Sequence, residues 1–242
     1  MMALPTITSL GESTVLIDWD SQLINDALLQ HIMNWKHTIE TELGEAIVEC
    51  IPAYSSLGVV YDSERFDFAE LKVKLENLTI DQEHNKASKT WQVPVCYDEA
   101  FSVDLSAYCQ SKSLSRERVI KLHTQNSYRI HFFGFLPGFM YLGGLTEELH
   151  LPRKSTPSRQ IVPGSVAIGG KQTGIYPSHS PGGWHVIGNT PVSLFDPSKS
   201  PPVPFDIGDR IQFVPIGLDE YHGIKGDVER GKYQLISSDD ER

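Results

Sequence analysis

Eleven of the chain's 19 glycines and six of its 15 prolines fall between Gly134 and Gly188. This clustering constrains the fold more than any other feature. Glycine admits positive φ and close backbone approach, whereas proline fixes φ and removes a backbone donor. A long helix through this stretch is excluded. Beyond Tyr128 no helical apolar period is expected. Short apolar runs alternate with Gly and Pro instead: Tyr128–Phe135, Val166–Ile168, Trp184–Ile187, Val192–Leu194 and Arg210–Val214. Many short strands separated by turn signals point to a mainly-β barrel or sandwich.

The first ninety residues have a different texture. Thr14 to Trp19 is a short apolar run that suits a strand. Ile24, Leu28, Ile32, Trp35, Ile39 and Leu43 then recur at spacings of four and three, one face of an amphipathic helix that Gly44 ends. Ala46–Ile51 and Leu57–Tyr61 read as strands. Asp67 and Glu70 have capping-box spacing ahead of the stripe Phe68, Leu71, Leu75 and Leu78. Thr90–Tyr97 alternates like a strand. The order strand, helix, strand, strand, helix, strand predicts a ferredoxin-like α+β unit. A polar stretch, Asp81–Lys89, is the expected hinge, which places a first domain at 1–90 and a second at 91–242. Two helices are expected near Ser102–Gln110 and Ser115–His123, and the polar tail Ser237–Arg242 is expected to fray.

The 242 residues carry 21 Lys+Arg against 31 Asp+Glu, a net charge of −10. Such acidity argues against nucleic acid as the main partner. No run of about 18 apolar residues is present, so no membrane-spanning helix is expected, and Met1 to Leu10 does not read as a secretory signal. Cys50, Cys96 and Cys109 form no CxxC pair, which favours neither a disulfide framework nor a metal site; a reducing cytoplasm is the expected compartment. The charge is nonetheless uneven. Between Leu105 and Ile175 nine Lys/Arg face three Glu, leaving −16 for the rest of the chain. A basic island in an acidic protein points to a small anionic ligand or an acidic partner surface.

Within the island, Arg153 and Arg159 have the fork geometry that grips carboxylates and phosphates. Gln172, Thr173 and Tyr176 offer orienting hydrogen bonds, and Phe139, Tyr141 and Trp184 are candidate pocket walls beside the turn at Gly138. His123, after a helix carrying Arg118 and Lys121, is the candidate general acid/base. The chain has no GxxxxGK[ST], GxSxG or HExxH.

The run Phe133-Gly134-Phe135-Leu136-Pro137-Gly138-Phe139-Met140-Tyr141-Leu142-Gly143-Gly144-Leu145 resembles the allophanate hydrolase subunit 1 family. That family includes the 5-oxoprolinase B subunit and the Kip-type inhibitor of a sporulation histidine kinase. The likeness continues through Pro152-Arg153, Pro157, Arg159, Val162 to Ile168, Gln172 to Pro177, Ser180 to Trp184 and Leu194-Phe195-Asp196. Where the family commonly has Gly-Gly after a tyrosine, this chain has Asp98-Glu99 after Tyr97. The resemblance implies an α+β N-terminal domain and a cyclophilin-like β-barrel. It implies a component of an ATP-dependent 5-oxoprolinase, acting with the A and C subunits and with ATP and Mg2+ shared among them. It also leaves two alternatives: a kinase-inhibiting binding module, and an allophanate or urea-pathway component serving carboxyl transfer.

Overall fold

A computed structural model describes residues 4–19, 24–81 and 87–238. The chain divides into two compact units, Met1–Ala87 and Ser88–Arg242.

The first unit contains β1 (Thr6–Ser9), β2 (Thr14–Asp18), α1 (Asp26–Leu43), β3 (Ile47–Pro52), β4 (Ser56–Tyr61) and α2 (Phe68–Glu76). Its sheet is antiparallel throughout, in the order β1-β2-β4-β3. Period-2 alternation buries Val15 and Ile17 on β2 and Leu57, Val59 and Tyr61 on β4. The helical stripe buries Leu28, Ile32, Trp35 and Ile39 on α1, and all of these share one core with Leu71 and Leu75 of α2. Helix α1 starts two residues after Ile24 because the Asn25 side chain accepts from Leu28 N–H at 2.9 Å; it stops at Gly44, where φ is +51°.

The ferredoxin-like expectation is met only in part. The β-α-β-β-α run is present, but Thr90–Cys96 pairs in the second unit's sheet. The edge beside β2 is filled instead by β1, folded back through a hairpin in which Leu10 N–H donates to Thr14 O at 2.8 Å.

The capping box on α2 closes as its spacing predicts. Glu70 N–H donates to Asp67 Oδ1 at 2.8 Å, and Asp67 N–H donates to Glu70 Oε2 at 3.2 Å. Asp67→Ala should therefore lower the first unit's stability by about 0.5–2 kcal/mol. Asp67→Ser keeps the cap and should stay near wild type; thermal melts of both variants check this.

The second unit runs β5 (Thr90–Cys96), α3 (Leu105–Lys112), α4 (Arg116–Thr124), β6 (Ser127–Phe133), β7 (Met140–Gly143), β8 (Ser158–Ile161), β9 (Ser165–Gly169), β10 (Gln172–Ile175), β11 (Ser180–Gly182), β12 (His185–Asn189), β13 (Arg210–Ile216), α5 (Leu218–Glu229) and β14 (Ile236–Ser237). Seven strands form a ring in the order β12-β9-β10-β7-β6-β13-β5, closed by the pairing of Asn189 with Cys96. Among the described strands of this ring, only β13 and β5 pair in parallel. Val93, Val95, Ile130, Leu142, Val166, Ile168, Ile211 and Phe213 belong to the core of this unit. Strands β8 and β11 form a separate two-stranded ribbon.

Three local expectations are corrected. A helix, α5, does follow Tyr128; Gly223 and Gly226 interrupt its apolar pattern, and Tyr221 is its one buried residue. Val192–Leu194 is not a strand, although Val192 and Leu194 are buried. Ser237 is not frayed but pairs with Trp91. Residues 239–242, and residues 82–86 of the expected hinge, lie outside the described residues. The Asp98-Glu99 turn is held without glycine, because Asp98 Oδ1 accepts from Ala100 N–H at 3.0 Å.

Candidate functional site

The glycine-rich segment builds a second, smaller core beside that of the barrel. Phe139, Ile161, Ala167, Tyr176, Trp184 and Val186 are buried together, with Leu136 and Tyr141 against them. The Phe139 ring meets Tyr141, Tyr176 and Trp184 edge-to-face at 5.1, 5.1 and 5.4 Å. Two glycines make room for this cluster. A Cβ at Gly169 would lie 2.5 Å from the Trp184 ring, and one at Gly174 would lie 3.1 Å from both Phe139 and Trp184.

A cavity of about 290 Å³ opens against these rings, lined by Phe139, Tyr141, Tyr176, Trp184, Arg153 and the Gly182-Gly183 turn, among others. Phe135 stands at it with 62% of its surface exposed and φ at +66°, a left-handed conformation uncommon for a bulky residue. Arg153 is held by its neighbours. Leu151 and Gly170 exchange backbone hydrogen bonds, Lys154 N–H donates to Gly183 O at 2.7 Å, and His185 Nε2 donates to Pro152 O at 2.9 Å. The Arg153 guanidinium lies 5.7 Å from the centre of the Trp184 ring, and no described carboxylate pairs with it.

Burial pushes the Tyr176 phenol up to about 12, an effect opposed by a hydrogen bond from the Trp184 backbone N–H and by the charge of Arg153. Tyr176 therefore stays a neutral donor at physiological pH.

The remaining predicted residues are scattered. Gly138 and Tyr176 line a second cavity of about 460 Å³ with Val162, His179, Thr190 and Lys225, among others. Arg159 is exposed on β8 and Gln172 is half-buried at the start of β10; neither lines either cavity. Thr173 and His123 have no exposed surface. His123 Nε2 lies 2.8 Å from Thr173 Oγ1, which itself donates to Ala167 O at 3.1 Å; Nδ1 lies 2.8 Å from the Tyr97 hydroxyl. Because the Thr173 proton is committed to Ala167, His123 must donate from Nε2 and accept at Nδ1 from Tyr97. The ring stacks on Phe213 at 4.5 Å. Burial pulls its pKa down to about 3. His123 thus sits as a neutral imidazole inside the barrel and lines neither cavity.

The basic island also comes apart in three dimensions. Lys154 pairs with Asp104 at 2.7 Å and Arg118 with Glu148 at 2.9 Å. Lys112 donates to His150 O, Arg116 to Tyr97 O and Arg129 to Gly208 O. Most of the positive charge thus stitches loops to the barrel, and of the nine cations only Arg153 lines either of these cavities. Among the described residues, no group of three or more His, Cys, Asp or Glu is placed to hold a metal ion, and no helix is long and apolar enough to cross a membrane.

The family model for the carboxyltransferase domain, subdomain C and D, matches residues 5–205. Over 231 residues the chain is 36% identical to the 5-oxoprolinase B subunit of Bacillus subtilis, covering 90% of this chain and 96% of that one. The chain belongs to this family. A second member, the 5-oxoprolinase B subunit of Haemophilus influenzae, is 37% identical over 76% of this chain and 87% of its own length. Among solved structures, urea carboxylase of Kluyveromyces lactis superposes with a TM-score of 0.80 over 97% of this chain and 24% of its own, at 18% identity, a likeness of fold alone. Arg153 and the aromatic cluster lie within the residues that the family model matches.

Proposed function

We propose that this chain is the B subunit of a 5-oxoprolinase, one component of an assembly that opens 5-oxoproline to L-glutamate at the expense of ATP. The observation that carries this reading is the shared name of relatives at 36–38% identity, in one case over 96% of the relative's length. The kinase-inhibitor and urea-pathway readings have no comparable support.

The site chemistry fits a shared task. An unactivated amide is a poor electrophile, and the activating chemistry belongs to the nucleotide. The Arg153 cavity does not suit a nucleoside triphosphate: about 290 Å³ lies at the small end of ligand pockets, roughly 300–1,000 Å³, and among the described residues a single cation lines it. ATP with its Mg2+ is therefore assigned to a partner chain, with the A and C subunits as the expected partners. Arg153 neutralises a small anion here, Tyr176 orients it and Phe139 walls it. Arg159, exposed and without an ion pair among the described residues, is assigned to charge neutralisation toward a partner-held anion. Gln172 and Thr173 support β10 beneath the site.

Reconstitution tests the reading. The purified chain alone should release no ADP or glutamate above background, whereas mixing it with the A and C subunits should give 5-oxoproline-dependent ATP hydrolysis. Turnover by the chain alone, or an assembled complex indifferent to 5-oxoproline, would overturn it.

A further inference from the structure

Resting on that reading, we propose that the cavity beside Trp184 is the lactam-acid site of the complex. In it Arg153 grips the carboxylate, the Tyr176 hydroxyl donates to the ring carbonyl, and the site selects acids whose nitrogen is uncharged.

The argument starts from the donor inventory. A guanidinium offers five N–H donors and no acceptor, and that of Arg153 has no carboxylate partner among the described residues. The Tyr176 hydroxyl, kept neutral by burial, retains a proton to give. Arg153 and Tyr176 therefore both present donors to the ligand volume beside Trp184. Their complement is a ligand with two acceptor groups a few bonds apart, as a ring carbonyl and a ring carboxylate are in 5-oxoproline. The rings of Phe139 and Trp184 form the apolar floor, and the closeness of Gly169 and Gly174 fixes the indole in place.

Selectivity follows from what the lining lacks. Among the described residues, no acidic side chain lines the cavity. Asp104, a nearby carboxylate that acts on Tyr176, is committed to Lys154 Nζ at 2.7 Å and to Val186 N–H at 2.8 Å. An ammonium placed here would meet Arg153 with no counter-charge. The amide nitrogen of 5-oxoproline is neutral and is tolerated. Ring opening creates an ammonium, so the product is repelled by the residue that held the substrate.

Calorimetric titration of the full chain with 5-oxoproline, 2-pyrrolidinone, proline and glutamate tests this directly. The first should bind at least tenfold tighter than the other three. Arg153→Ala should weaken 5-oxoproline binding tenfold to hundredfold, leave 2-pyrrolidinone within about twofold and leave the melting temperature unchanged, since the side chain is exposed. Arg153→Lys should recover only part of the loss, because it keeps the charge without the fork. Tyr176→Phe should cost about threefold to tenfold for 5-oxoproline and nothing for proline.

In the reconstituted complex the Arg153→Ala loss should appear as a tenfold to hundredfold rise in KM. A complex that turns over 5-oxoproline with an unchanged KM in Arg153→Ala removes this site and leaves the B-subunit assignment standing. A complex inactive on 5-oxoproline removes the assignment, and the site is then decided by titration of the full chain: loss of 5-oxoproline binding in Arg153→Ala supports it. Absence of binding in wild type, or glutamate binding as tightly, overturns it.

Discussion

Trp184→Ala is expected to destabilise the second unit by about 3–5 kcal/mol, the range for deleting a large buried aromatic. Trp184 is only 4% exposed and joins the cavity to the small core. Its ring touches Phe139 at 5.4 Å and Tyr141 at 6.0 Å, and carries the Arg153 guanidinium on its face. Alanine leaves a void that the flanking glycines cannot fill, because Gly169 and Gly174 bring no side chains to collapse inward. For a unit of this size each kcal/mol moves the melting temperature by roughly 2–4 °C. The second unit's calorimetric transition should therefore fall by about 6–20 °C, while that of the first unit stays put. Trp184→Phe, which keeps an aromatic face, should recover more than half of the loss. A drop of less than about 2 °C in Trp184→Ala would show that the ring is not part of a packed core. Because Arg153 loses its platform in the same variant, 5-oxoproline-dependent turnover should fall at temperatures where the protein is still folded.

How much of this was legible in the sequence depended on distance along the chain. Periodicity is a local signal, and it found the α1 face at Leu28, Ile32, Trp35 and Ile39 and the Asp67–Glu70 capping box. It failed where a segment takes its structure from remote partners. Strand β1 has little apolar alternation and exists because β2 folds back on it. Strand β14 is two residues long and is fixed by Trp91 and Gln92, more than 140 positions away. Helix α5 carries two glycines and packs mainly through Tyr221, whose hydroxyl donates to Asn189 Oδ1 at 2.7 Å. The site shows the same division. The words around Phe139, Arg153, Tyr176 and Trp184 pointed to an aromatic pocket with a cation, and the structure brings those four side chains together. That His123 would instead meet Thr173, fifty residues on, inside the barrel was invisible, because a histidine at a helix end looks the same whether it faces solvent or core. The basic island misled for a related reason: Glu148 and Asp104 lie 30 and 50 positions from the cations they neutralise.

The buried imidazole makes a prediction about pH. His123 titrates near 6.5 when the chain is unfolded and near 3 when it is folded. Between those values the unfolded state holds a proton that the native state excludes, so stability is complete above about pH 6.5 and is lost progressively as pH falls toward 3. The slope is one proton, about 1.4 kcal/mol per pH unit, which puts the loss near 2 kcal/mol at about pH 5 relative to pH 7. The neighbouring phenols do not blur the signal. Burial pushes both Tyr97 and Tyr128 upward, so they stay neutral across this range. Carboxylates elsewhere also shape the acid limb, and a paired comparison removes them. His123→Gln loses the stacking on Phe213 at 4.5 Å, and its side chain carries no proton to exclude. The difference in unfolding free energy between wild type and His123→Gln should therefore shrink by about 2 kcal/mol from pH 7 to pH 5. Urea titrations of the two proteins at both pH values measure it, and the His123 imidazole signal in the folded protein should not move between about pH 8 and pH 5. Parallel acid limbs, or an imidazole titrating near 6.5 in the native state, would return His123 to the solvent and reopen its case as an acid/base group.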